Sequence, residues 1–341
     1  MKAARWPRDD PRSTRLLRVD PARGELSDGT IGDLRSLLRR DDLLVVNDAA
    51  TMPACLAGLT EQGTPVEARL AAEAEDGTFQ AVLFGAGDWR TRTEDRPPPP
   101  RLAMGDALRF DGLRAIVSGV DEVAPRLVRL AFEARGAALF SALYRAGRPV
   151  QYAHTRDPLS LWHVQTAYSG RPWAAEAPSA GFALTWDLLL DLRRRGVGLA
   201  SVTHAAGLSS TGDAALDARL PLAERYDIPA RTVLAIDQVR SREGRVVAVG
   251  TTVARALEGA AANANGTLAA GPGLTDLRLG PQTQRGVVDA IVTGMHEAAT
   301  SHFALLQSFA PVGLLALATG FAEARGYQGH EFGDAMLILD G

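Results

Sequence analysis

Seven segments of this chain end or begin an apolar run with residues able to donate, accept or carry protons. LLVVNDAATMPACLAG (43–58) delivers Asn47 and Asp48, HVQTAYS (163–169) carries Gln165, Thr166 and Tyr168, and APSAGFALTW (177–186) carries Pro178, Ser179 and Gly181. SVTHAAGLSSTGD (201–213) closes its run on His204, and VGTTVARALE (249–258) holds Gly250, Thr251 and Thr252. VVDAIVTGMH (287–296) ends on His296, and FGDAMLIL (332–339) opens around Asp334. A strand that hands small or polar residues to a loop is how a rigid scaffold presents ligand-lining groups. Imidazoles such as His204 and His296 match acid–base work near neutral pH. Thr251 and Thr252, opening a helix after a strand, can aim hydroxyl and N–H groups at a carboxylate or a ribose. Each group also has a plainer reading: a histidine closing a strand, aspartates forming turns, threonines capping a helix. His154, His163 and His330 lie in polar, turn-rich stretches and are assigned to the surface.

Several familiar chemistries lack their signature. There is no phosphate-cradling G-x-x-x-x-G-K-[ST] and no G-x-G-x-x-G between a strand and a helix. His296 and His302 are six positions apart, on different faces of a helix, whereas a zinc-binding H-E-x-x-H needs four. Cys55 is the one cysteine, which excludes an intramolecular disulfide and a multi-cysteine metal site. No metal is expected.

The scaffold that must position these loops is visible in the texture of the chain. Its 341 residues suffice for roughly two domains of ~100–200 residues. Leu43–Val46 reads as a buried strand. From about Leu56 to Gly147 short β runs follow one another, at Val66–Leu70, Phe79–Phe84, Ala107–Phe110, Leu113–Val117 and Leu127–Phe132. Closely spaced strands with little helix between them predict a small β-barrel or sandwich. The later half alternates. It reads as a helix over Thr185–Arg195, a strand over Leu199–Thr203, and a β pair of Thr232–Ile236 with Val246–Val249. A helix over Thr252–Ala262, a helical region over Phe303–Arg325 broken near Pro311, and a last strand over Met336–Leu339 follow. That alternation predicts an α/β core. Residues 56–147 are therefore expected as an insert in a discontinuous domain made of 1–55 and 148–341.

The formal net charge of -3 gives no reason to expect a polyanionic partner, although a local basic face would suffice for one. Lys2 is the one lysine, so basic contacts fall to arginine, which suits bidentate phosphate or carboxylate binding. The first twenty residues lack an apolar signal-peptide core, and the longest apolar stretch, Val312–Ala318, is far short of the ~20 residues of a spanning helix. A cytoplasmic protein without a membrane partner is expected.

In their order, the seven segments resemble the S-adenosylmethionine:tRNA ribosyltransferase-isomerase family of queuosine biosynthesis over nearly the whole chain. The family's LLVLNDTRVIPARL is similar to the first segment, where Asn47, Asp48 and Pro53 keep its frame. RYQTVYA is similar to the stretch His163–Tyr168, AAPTAGLHFT to Ala177–Thr185, GTTSVRTLE to Gly250–Glu258 and YGDAMLI to Phe332–Ile338. Asp88-Trp89 and Met104-Gly105-Asp106 echo family features in the β block. The resemblance implies an α/β fold, a large barrel-like α/β domain with a small all-β barrel inserted early. It implies transfer of the ribosyl part of S-adenosylmethionine to a 7-aminomethyl-7-deazaguanine base in tRNA, giving epoxyqueuosine with release of adenine and methionine. In that chemistry the sulfonium acidifies the C5′ protons, a base makes the ylide, and adenine is expelled. His204, His296 and Asp48 are then the expected catalytic groups. Asn47, Gln165, Thr166, Tyr168, Pro178, Ser179, Gly181, Gly250, Thr251, Thr252 and Asp334 are the expected S-adenosylmethionine contacts.

The chain departs from the family inside the same segments. LHVGAGTF reads here as the stretch ending Thr203–Ser210, without its threonine-phenylalanine end. Leu222 replaces the histidine of M-H-S-E, although Glu224 remains, and Ala183 replaces the histidine of GLHFT. HLPKS reads His296-Glu297-Ala298-Ala299-Thr300, so a lysine that would hold an anion is gone. Two alternatives follow: a paralogue using S-adenosylmethionine with a small-molecule acceptor or water, and a non-catalytic ligand-binding protein. The residues give no oligomeric state.

Overall fold

The computed structural model describes residues 1–298 and 300–341, so Ala299 of the altered HLPKS stretch lies outside the described residues. The larger of its two main sheets has nine strands. Their spatial order is Gly271–Thr275, Glu224–Ile228, Gly198–His204, Leu43–Asn47, Val246–Val249, Ala290–Gly294, Ala335–Ile338, Arg15–Asp20 and Glu25–Thr30. The four from Gly198–His204 to Ala290–Gly294 run parallel. Parallel strands are covered on both faces and so read as continuous apolar runs, as Leu43–Val46 does. Leu43 and Val45 face one layer, with Ile236, Val253, Leu257 and Leu315 of the covering helices. Leu44 and Val46 face the other, with Leu188, Leu189 and Leu192 of the Trp186–Arg194 helix.

The run Thr232–Ile236 is not a strand. It lies within the helix Ala230–Arg240, whose Thr232, Ile236 and Val239 are buried at helical spacing. A five-residue apolar run is ambiguous between a strand and one buried helix turn. The places beside Val246–Val249 are filled by Leu43–Asn47 and Ala290–Gly294 instead. The expected break near Pro311 is present, between helices Ser301–Leu306 and Val312–Ala324.

The second sheet closes on itself. Strands Cys55–Thr60, Pro65–Glu73, Phe79–Phe84, Leu127–Phe132, Leu113–Val120 and Ala107–Phe110 form a six-stranded barrel. All its pairings are antiparallel. The fold is thus the α/β architecture with an added small β-barrel that the sequence suggests; it is the barrel that closes, while the larger sheet keeps two ends. The barrel core of Leu56, Leu70, Phe79 and Leu130 continues without a break into Met52, Val150, Ala175, Leu208 and Leu216 of the flanking chain. Among the described residues no helix is long and apolar enough to cross a membrane.

Candidate active site

Because the four central strands are parallel, their carboxyl ends share one edge of the sheet, the usual place for a ligand crevice in α/β proteins. Asn47, His204, Gly250 and Gly294 leave or follow neighbouring strands at that edge. Ala335–Ile338 runs antiparallel to Ala290–Gly294 with Ala335 opposite Gly294, which brings Asp334 to the same edge. Glu224–Ile228 runs antiparallel to Gly198–His204 with Tyr226 opposite His204, which sets Glu224 just beyond the histidine. A cavity of about 840 Å³ opens there. A smaller one of about 210 Å³ adjoins it, with Ser179, Ala180, Thr293, Gly294, His330 and Phe332 lining both.

Glu224 and Arg255 form an ion pair in the wall of the large cavity. Glu224 also accepts the Gly207 N–H at 2.7 Å. Burial pushes its carboxyl above the ordinary range, and the guanidinium and the Gly207 N–H offset this only in part. His204 is fully buried, and its Nε2 lies 3.4 Å from Glu224 Oε2 without a hydrogen bond. Burial, with Arg255 adding to it, holds this imidazole well below its ordinary pKa and so uncharged. Asn47 fixes the histidine's backbone: its side-chain amide donates to the His204 carbonyl at 3.0 Å and accepts the His204 N–H at 2.9 Å.

His296 does reach the cavity, with Nε2 2.8 Å from Thr293 Oγ1. Burial, and then the neighbouring His330, lower it to about 4. His302 is not on another face of one helix. His296 lies in the loop before the Ser301–Leu306 helix, and the two rings stack at 4.9 Å and 10°. The spacing was misleading because a helix period applies only where both residues are helical. Burial, followed by His296 and Arg255, also keeps His302 uncharged.

Gly250 has φ of +90°, a region open to glycine, and its N–H donates to the Val292 carbonyl at 2.7 Å. That turn brings Thr251 and Thr252 into the large cavity's wall, which Pro178 and Ser179 also line. Gln165 and Asp334 line the smaller cavity. Gln165 mimics a strand partner, exchanging hydrogen bonds with the Thr51 N–H and carbonyl at 3.0 and 2.9 Å. Asp334 accepts from Arg8 at 2.5 Å, from the Arg15 N–H at 3.0 Å and from the Gln328 N–H at 2.8 Å.

The remaining expected residues, like Asn47 and His204, stand behind the cavities. Asp48 accepts the Thr203 hydroxyl at 2.6 Å. Thr166 is buried with its hydroxyl unpartnered. Tyr168, pushed up by burial and then by Asp48, packs so close to Gly181 that a Cβ there would lie 2.1 Å from its hydroxyl.

Sequence reasoning missed other cavity residues. Glu176 accepts the Tyr152 hydroxyl and the Ser209 N–H, and burial raises its carboxyl. Arg255 was legible, since it lies four residues after Thr251 on one helix face. His154 and His330 are not mere surface groups, for both line the large cavity, with His154 2.7 Å from Glu331. His163 lines the smaller cavity, edge-on to Trp6 at 4.8 Å. Six carboxyl groups wall the large cavity (Glu94, Glu176, Asp217, Glu224, Glu297 and Glu331), with burial favouring the neutral form in Glu176 and Glu224, against two guanidiniums, Arg92 and Arg255. Such an excess of one sign focuses a field that attracts cations.

A parallel-centred α/β sheet that gathers acid–base groups around a cation-favouring cavity at its strand ends has the architecture of a small-molecule-binding enzyme. The chain belongs to the queuosine biosynthesis protein family, whose model matches residues 1–338. It is 35% identical to an S-adenosylmethionine:tRNA ribosyltransferase-isomerase of Anaeromyxobacter sp. (strain K), over 98% of this chain and 93% of that one. It is 36% identical to one of Gloeobacter violaceus, over 91% of this chain and 85% of that one. Its fold is similar to the crystal structure of an S-adenosylmethionine tRNA ribosyltransferase from Thermotoga maritima, with a TM-score of 0.53, 24% identity, and 99% and 96% of the two chains covered.

Proposed function

We propose that this protein is an S-adenosylmethionine-dependent tRNA ribosyltransferase-isomerase that converts 7-aminomethyl-7-deazaguanine in tRNA to epoxyqueuosine, releasing adenine and methionine. The observation that carries this reading, beyond family membership, is the carboxylate-rich cavity at the strand ends. The donor's sulfonium and the acceptor's aminomethyl group are both cationic at neutral pH, and an acid-walled enclosure stabilises each.

His296, uncharged and on the wall, is in the form a base needs to take a C5′ proton. Glu176, raised by burial, is the group we assign to protonate departing adenine. The Thr251–Asn263 helix N-terminus with Thr251 and Thr252 suits the methionine carboxylate or the ribose hydroxyls. His204 and Asp48 act here as positioning residues, the first beside Glu224 and the second through Thr203. Residues 56–147 are taken as the inserted domain. A tRNA acceptor supports a cytoplasmic location for the protein.

The test is incubation with S-adenosylmethionine, with and without tRNA carrying the aminomethyl-deazaguanine base, following adenine and methionine by chromatography. Release that depends on the tRNA is expected. Release without tRNA would replace the acceptor by water or a small molecule. No release, with no S-adenosylmethionine binding by calorimetry, would overturn the reading.

A further inference from the structure

We infer that His154, His330 and Glu331 form a binding site for one divalent transition-metal ion of the zinc, cobalt(II) or iron(II) class, on the wall of the large cavity. Each residue offers one ligand atom, and the three atoms lie within 4.8 Å of one another. His154 Nε2 is 2.7 Å from Glu331 Oε2, and the two imidazole rings are 4.2 Å apart between centroids. Two imidazoles and one carboxylate are the donor set of open transition-metal sites. Calcium and magnesium prefer all-oxygen ligands and are disfavoured here. Donors about 2.0–2.1 Å from a tetrahedral ion stand about 3.4 Å apart, so small side-chain rotations would seat one.

The ligands ride on braced turns, which is what distinguishes a built site from a chance meeting of polar groups. His330 adopts φ of +65°, an uncommon conformation for a side-chain-bearing residue. It is held there by the Gly333 N–H donating to its carbonyl at 3.0 Å, while Asp334 ties the same turn to Arg15 and Gln328. On the other side, Gln151 donates to Thr155 Oγ1 and to the Asp157 carbonyl, both at 2.7 Å, closing the turn that carries His154. The Tyr152 ring lies nearly parallel to that of His154, at 6.3 Å and 13°, and its hydroxyl is anchored on Glu176. Glu297, with Oε1 4.0 Å from His330 Nε2, stands near enough to serve as a fourth ligand. All three residues line the large cavity. Sequence spacing hid the cluster because its members come from positions 154, 330 and 331.

This inference does not depend on the proposed reaction, and its test uses no substrate. The full-length protein, stripped by a chelator and dialysed, is titrated with cobalt(II) while visible absorption is followed, then with zinc in competition. One equivalent of cobalt with the d–d bands of a low-coordinate site, displaced by zinc, is expected. H154A and E331Q should weaken binding by at least about 10–100-fold, the range seen when even an outer partner of a ligand is lost. H163A should bind as the unaltered protein does. Far-UV circular dichroism checks that each variant folds, and H330Q, altered at the most exposed of the three ligands, serves if H154A does not. No cobalt bands in the unaltered protein, or equal binding in E331Q and H330Q, would overturn the assignment.

Discussion

Glu224 ties two parts of the cavity wall together, since it holds the Arg255 guanidinium and the Gly207 N–H at once. Both members of the ion pair are buried, and removing one charge of a buried pair leaves the other uncompensated. E224A should therefore destabilise the protein by about 3–5 kcal/mol in denaturant unfolding, whereas E224Q, which keeps a hydrogen-bonding acceptor, should be milder. H296N should lower adenine release by roughly 10²–10⁴-fold while S-adenosylmethionine affinity, measured by calorimetry, changes little. The same imidazole links stability to pH. His296 titrates at about 4 in the folded protein and near its ordinary ~6.5 when unfolded, so between these values the unfolded chain binds more protons. Stability should fall as pH drops through that window, with His204 and His302 acting in the same direction. The slope should be shallower in H296N, and an unchanged slope would show that His296 is not the uncharged group described here.

At the scale of elements, Gly250 is the hinge between a buried strand and the helix whose first residues wall the cavity. G250A forces a side chain into φ of +90° and should cost on the order of 1–3 kcal/mol. It should also weaken S-adenosylmethionine binding by moving Thr251 and Thr252, which paired thermal melts and calorimetry would separate. Much of this architecture was legible. The strands Phe79–Phe84, Ala107–Phe110 and Leu127–Phe132 begin and end where the apolar runs do, because a half-buried barrel strand has no freedom over which side faces in. His204 was legible as a strand-exit residue but not as a cavity group. It stands two positions after Val202, and alternation places the two on one side of the strand, the side of the core. Thr232–Ile236 misled for want of length. Glu176, Glu331 and His154 carry no local signal at all, because only the folded chain brings segments around 150, 176 and 330 together.

For the whole molecule, the barrel and the larger sheet are joined by more than covalent chain. Leu208 and Leu216, from the region after the His204 strand, belong to the barrel's own core. Arg219 grips Asp121 with two hydrogen bonds of 2.8 and 2.9 Å, and Arg225 meets Glu73 at 2.9 Å. Shared apolar burial makes neighbouring units unfold together. A single calorimetric transition is expected, and two separated ones would show that the barrel melts alone.

The two ends of the nine-stranded sheet carry a consequence for life at high concentration. An open sheet edge is a template on which a second molecule's strand can add, the first step of aggregation. Here one end is Gly271–Thr275, where Pro272 brings no N–H and the glycines are poor strand formers. The other is Glu25–Thr30, which exposes the charged Glu25 together with Ser27 and Asp28. The barrel, being closed, offers no edge at all. The two main sheets thus give a second copy little to pair with, and crowding does not readily turn the long sheet into the seed of a fibre.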